Sequence, residues 1–99
     1  MLDKIFDEIR AERKRQNELW GEQNHPMLDI PFHSADIAIR ANTYKGVNDS
    51  GKHTCWFAIL QEEVYEAFSE IDPAKQRQEM IEVAAVAVQI IECLDRRMK

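Results

Sequence analysis

The sequence predicts an all-α protein: a helical bundle in which two long helices carry a cluster of acids. Three observations lead there. Three Gly and three Pro among 99 residues leave little turn chemistry, and Ala, Glu, Gln, Arg and Ile, which favour helix, are abundant. Apolar residues recur at spacings of three and four along most of the chain. Asp72-Pro73 supplies an N-cap followed by a proline at the first helical position. At this length a single domain spanning residues 1–99 is expected, near the lower limit for burying an adequate core alone.

Leu2, Ile5, Phe6 and Ile9 form a first amphipathic stripe, so a helix begins near residue 2. Farther along, the same direction carries Arg13, Gln16 and Trp20. Buried Arg and Gln need partners. Two readings fit: Arg13 snorkels or pairs with a nearby Glu, or this end of the helix looks into a polar pocket. Gly21 and Pro26 then end regular structure. The loop Trp20 to Pro26 holds an aromatic plate, amides at Gln23 and Asn24, and the His25 imidazole, a set able to stack on and hydrogen-bond a nucleobase. A Trp-Gly turn that only packs is the plainer alternative.

A second helix is expected from an N-cap at Ser34 to about Tyr44, burying Ile37, Ala38 and Ala41. Lys45 to Lys52 reads as an exposed loop, with two Gly and an Asn-Asp-Ser run. It lacks the spacing of a P-loop, and its lysines read as solvated. A third helix, about Thr54 to Ile71, buries Trp56, Phe57, Leu60, Val64, Ala67, Phe68 and Ile71. A fourth runs from Asp72-Pro73 toward Arg97, with basic residues in its last turn to suit the helix dipole. Between Val83 and Ile91 it is apolar nearly all round, which three short neighbours cannot cover. A homo-oligomer, dimer or tetramer, is therefore expected to complete the fold.

Charge and cysteine usage narrow the function. A net charge of −5 gives no electrostatic footprint for polymeric nucleic acid. Cys55 and Cys93 make neither a disulfide framework nor a metal spacing, and read as reduced thiols. The opening residues lack the basic-then-apolar order of a signal peptide, and Val83–Ile91, broken by Gln89, is too short to span a bilayer. A soluble, cytoplasmic protein with no membrane partner is expected.

The acids carry the chemistry. At about 100° per residue, Glu62, Glu63 and Glu66 share one sector of the third helix, opposite Leu60, Val64, Ala67 and Phe68. Glu79 and Glu82 lie one turn apart on the fourth. Two helices can thus present five carboxylates to one space, a costly arrangement unless a cation sits among them. Carboxylate oxygens suit Mg²⁺ or Mn²⁺ rather than zinc. A helical di-iron site wants Glu-x-x-His pairs, and His25, His33 and His53 form none. By periodicity alone, paired Glu on a helix is more often a solvated face.

Glu62-Glu63-Val64-Tyr65-Glu66, twelve intervening residues, then Glu79-Met80-Ile81-Glu82 resembles the motif of the MazG-like, all-α nucleoside triphosphate pyrophosphohydrolases. That pattern is Glu-Glu-x-x-Glu, a helix-turn-helix gap, then Glu-x-x-Asp. The segment Arg15-Gln16 through Trp20-Gly21-x-Gln23-x-His25-Pro26 is similar to the nucleotide-side segment of small members. The resemblance implies a hydrolase acting on acid anhydrides, converting an NTP or dNTP to its monophosphate and pyrophosphate with Mg²⁺ as cofactor (Mn²⁺ as substitute). It implies Glu63, Glu66, Glu79 and Glu82 around the metal. Glu62 and Glu63 are the catalytic candidates, with Glu62 a ligand or water-activating base. Arg13, Gln16, Trp20 and Gln23 fall on the nucleotide side. Glu82 stands where the family has Asp. Two alternatives stay open: a non-catalytic helical oligomer, and a metal-dependent nucleotide-binding sensor without turnover.

Overall fold

In the computed structural model, which describes all 99 residues, the chain forms four helices and no strand: α1 (Leu2–Trp20), α2 (Ser34–Ser50), α3 (Trp56–Ser69) and α4 (Pro73–Arg97). The all-α expectation holds. No helix is long and apolar enough to cross a membrane.

The α3–α4 corner forms as the sequence predicts. The Asp72 carboxylate accepts from the Lys75 backbone N–H at 3.0 Å, and Pro73 opens the helix. Across the turn, the Gln76 amide donates to the Ala67 carbonyl at 3.1 Å, tying the start of α4 to the end of α3. This junction fixes where the acids of one helix face those of the other.

Four helix ends differ from expectation. α2 starts one residue after its N-cap His33, with Ser34 already inside it. It continues through Lys45–Ser50, the stretch that reads as a loop. Gly46 weakens a helix by about 1 kcal/mol relative to Ala, but the added turns gain packing. Val47 and Asn48 are half-buried, and Tyr44 stacks on Tyr65 of α3. The helix stops at Gly51, whose φ of 70° is left-handed and whose N–H donates to the Asn48 carbonyl. α3 spans only Trp56–Ser69, so Thr54 and Ile71 lie outside it. Ala58 and Ala67 are its buried residues, whereas Phe57 and Ile71, expected in the core, are exposed.

α3 is the hub, packed against α2 on one side and α4 on the other. α1 rests lightly on α4 alone. Of its stripe, Ile5 is buried, while Leu2, Phe6 and Ile9 remain exposed. They face Ile81, Ala84 and Ala85 of α4 across an open apolar groove. Only 7 of 99 residues are buried. The radius of gyration is 15.6 Å, against about 13 Å for a compact domain of this length. The accessible surface is 7757 Å², where a folded monomer of this mass exposes about 5,800 Å².

Candidate metal and nucleotide site

The five acids form two groups of three that share Glu63, so Glu66 of the expected ligand set falls in a different group from Glu79 and Glu82. Glu62, Glu63 and Glu66 of α3 bring one oxygen each within 4.8 Å of one another. Glu63 does the same with Glu79 and Glu82 of α4. Glu63 thus belongs to both groups and joins the two helices.

No cation of the chain neutralises this cluster, and its protonation equilibria register the strain. Burial, then the Glu82, Glu62 and Glu79 charges, raises Glu63 above the usual carboxylate range. Glu66 is raised by burial first and then by Glu63, Glu62 and Glu82, with Lys45 partly offsetting the shift. Burial also raises Glu79, followed by its neighbour Glu82, with which it shares a hydrogen bond when one of the two is protonated. With both ionised, Glu79 Oε2 is sealed from solvent and has no partner.

That orphaned oxygen tests whether a metal fits. A buried carboxylate oxygen without donor or cation is costly, and a divalent ion satisfies it. The donors are all carboxylate oxygens, a hard set matching Mg²⁺ or Mn²⁺. Opposite ligands of octahedral Mg²⁺ stand about 4.2 Å apart, so a 4.8 Å spread closes with small side-chain movements. The residues fit the ion.

The nucleotide-side candidates also come together, but elsewhere. Arg13, Gln16, Trp20 and Gln23 line one polar recess of about 700 Å³ at the end of α1. Arg13 neither snorkels nor pairs with a Glu. It is exposed and donates to the Gln16 side chain at 2.8 Å. Trp20 is 59% exposed, so its ring is free to stack rather than committed to packing. Gly21, with φ of 64° and ψ of −160°, turns the chain in a conformation open to glycine and brings Gln23 back to the recess. His25 lies outside it. None of the recess residues belongs to either acid group, and no hydrogen bond or ion pair joins the two places.

Two residues beside the acids sit in the segment that the sequence reads as a loop, where Lys45 reads as solvated and Asn48 as part of a turn. Lys45 pairs with Asp49 at 3.3 Å and lies near enough to feel the charges of Glu62 and Glu66. Asn48 reaches α3 directly, donating to Glu62 Oε1 at 3.4 Å. The signal for them was present: Ile37, Ala41, Tyr44 and Asn48 continue one helical stripe past the expected end.

No family of known proteins matches the chain, and neither a curated protein nor a solved structure does. The class that fold and site define is therefore that of a small all-α protein with a carboxylate cluster shared by two helices.

Proposed function

We propose that the protein hydrolyses a nucleoside triphosphate, NTP or dNTP, to the monophosphate and pyrophosphate in a Mg²⁺-dependent reaction. The observation that carries this reading is the pair of acid groups joined through Glu63, with Glu79 Oε2 orphaned between helices. Glu63, Glu66, Glu79 and Glu82 would hold the ion, which would supply positive charge to the triphosphate and acidify a water. Glu62 or Glu63 takes the proton from the attacking water. Both stand on α3 within the same acid group, and burial with the neighbouring acids raises the proton affinity of Glu63. The water oxygen forms its bond to the α-phosphorus, the bond to the bridging oxygen breaks, and pyrophosphate leaves. Trp20 stacks on the base, while Arg13, Gln16 and Gln23 hydrogen-bond the nucleoside.

The reading includes a cytoplasmic homo-oligomer. The surplus of accessible surface, about 1,900 Å² over a compact monomer, exceeds the roughly 800 Å² that each partner contributes to a standard interface. The apolar groove between α1 and α4, lined by Leu2, Phe6, Ile9, Ile81 and Ala85, offers an apolar face for such a contact.

The separation of recess and acids favours one other reading, a nucleotide sensor that binds without turnover. A single assay divides the two. Incubation with a panel of canonical and modified NTPs and dNTPs plus Mg²⁺ is expected to release pyrophosphate, with orthophosphate measured separately. Orthophosphate as the sole product, or turnover that survives a chelator, refutes the hydrolase. Metal-dependent binding without either product supports the sensor.

A further inference from the structure

Two isoleucines far apart in sequence are held outward in the same way. Asp29 Oδ1 accepts from the Ile30 backbone N–H at 2.8 Å, and Glu70 Oε1 accepts from the Ile71 N–H at 3.1 Å. In each case the acid turns back onto its own backbone while the isoleucine after it stays 84% exposed. Glu70 also accepts from the Asp72 N–H at 3.1 Å, and the Phe32 N–H donates to the Asp29 carbonyl at 2.7 Å, so both turns are fixed. The two turns adjoin. Met27, Leu28 and Ser34 of the α1–α2 connection line one recess of about 400 Å³ together with Phe68, Ile71 and Pro73 of the α3–α4 corner. Ile30 and the exposed Phe32 stand in that connection between Leu28 and Ser34.

Large apolar side chains held exposed on adjoining turns mark a contact surface, and the area of the chain identifies what covers it. One standard contact at the α1–α4 groove covers roughly 800 Å² of each copy. That is less than half of the surplus of about 1,900 Å² that the chain exposes over a compact monomer. The surplus has room for two such contacts. The recess at the α3–α4 corner shares no residue with the groove, and a chain with two separate self-complementary surfaces closes into a tetramer of two-fold symmetry. We propose that the patch around Ile30 and Ile71 joins two groove-paired dimers of this chain into a tetramer. The inference rests on the groove contact of the proposed homo-oligomer and on no part of its chemistry. A groove-paired dimer carries two patches, so dimers meet through two contacts at once, whereas monomers meet through one. The patch therefore joins dimers without pairing monomers.

The test is light scattering at micromolar concentration on wild type and four variants, with helical content followed by circular dichroism. Wild type is expected as a tetramer. Ile71→Glu and Ile30→Glu, both at exposed positions, are expected to halve the mass to a dimer and keep the helical content. Either one carries the test if the other unfolds. Ala85→Glu, in the groove, is expected to fall to monomer. Ile39→Glu is the control: Ile39 is exposed on α2 and lines neither the groove nor the recess, so this variant is expected to stay tetrameric. A wild-type dimer overturns the proposal, leaves the groove contact standing and assigns the patch to a partner of another kind. Tetrameric Ile71→Glu and Ile30→Glu overturn it by placing the second contact elsewhere. A dimeric Ile39→Glu overturns it too, by showing that any added surface charge suffices. A wild-type monomer removes the groove contact itself, and this inference with it.

Discussion

Tyr44 of α2 and Tyr65 of α3 stack with ring centroids 5.7 Å apart and planes inclined by only 6°. Phe57 meets Tyr44 edge-on at 6.1 Å. The stack adjoins Lys45 on one helix and Glu66 on the other, so it sets the distance between α2 and the acids. Truncating a buried aromatic costs about 3–5 kcal/mol, and half-burial of Tyr44 brings the expectation to roughly 2–3 kcal/mol. Tyr44→Ala should therefore lower the midpoint of thermal unfolding by about 10 °C or more. A circular-dichroism melt superimposable on wild type would show that the stack contributes nothing.

The raised acids make stability depend on pH in a defined direction. Glu63, Glu66 and Glu79 bind protons more tightly folded than unfolded. Their contribution is fully present below the ordinary value of 4.5 and is lost as pH rises through their raised values. Glu12, lowered by its hydrogen bond to Arg15, acts below that window with the opposite sign and is fully exposed. Metal-free protein should thus lose melting temperature as pH rises above about 4.5, and Mg²⁺ should restore it at pH 7.5 but scarcely at pH 4.5. Glu79→Gln should melt higher than wild type without metal at pH 7.5 and respond less to Mg²⁺. A melting temperature indifferent to Mg²⁺ at pH 7.5 contradicts a metal site.

What the sequence reveals here follows the strength of its local signals. Asp72-Pro73 fixes the start of α4 because cap and proline act within four residues, and the acids converge because helical spacing dictates their sector. The C-terminal end of α2 is not legible in the same way. Gly46 and the Asn-Asp-Ser run favour a turn, and the packing of Tyr44 and Asn48 against α3, invisible to local propensity, overrides them. Phe57 and Ile71 show the converse. Periodicity assigns them to a core face, but the neighbours the chain supplies, Tyr44 at the edge of Phe57 and Phe68 beside Ile71, cover them only in part, and they stand 63% and 84% exposed. The recess at the end of α1 is legible as a group of residues, yet nothing in the sequence places it relative to the acids.

The uncovered groove gives the oligomer its test residue. Val86 is buried within its own chain, so a charge there would break the fold rather than an interface. Ala85 is exposed and lines the groove with Leu2 and Phe6. Ala85→Glu should leave the helical content near that of wild type and shift the protein toward monomer, because an unpaired charge in a dry contact is strongly unfavourable. Light scattering at micromolar concentration reads the outcome. A wild-type monomer, or an Ala85→Glu protein of wild-type mass, removes the groove as the contact.

Trp20 is the substrate-side residue with the clearest expectation. Its ring is mostly exposed beside Arg13 and Gln23, so removing it should cost affinity rather than fold. Base–aromatic stacking is worth roughly 1–3 kcal/mol, which corresponds to a KM raised by about 5- to 150-fold with kcat little changed. A Trp20→Ala protein that unfolds while its folded fraction keeps the wild-type KM assigns the ring to packing.

Glu82 is where the chain departs from the motif it resembles, and its carboxylate still joins Glu63 and Glu79 within 4.8 Å. Glu is one methylene longer than Asp, which moves the carboxylate by about 1.5 Å on the same backbone. Mg²⁺ tolerates little error around ligands at about 2.0–2.1 Å. The exposure of Glu82 leaves its side chain room to fold back, whereas Glu79 is half-buried and held. The longer arm thus reaches the ion directly or through one water. Glu82→Gln keeps the shape and removes the charge, so it should weaken Mg²⁺ binding and reduce turnover by about 100-fold or more, the scale of a misplaced ligand, with helical content unchanged. Glu82→Asp supplies the residue of the motif that the chain resembles and should retain activity, since Glu63 and Glu79 would still anchor the ion. Wild-type metal affinity and rate in Glu82→Gln would make the residue a surface acid and leave Glu62, Glu63, Glu66 and Glu79 to hold the metal alone.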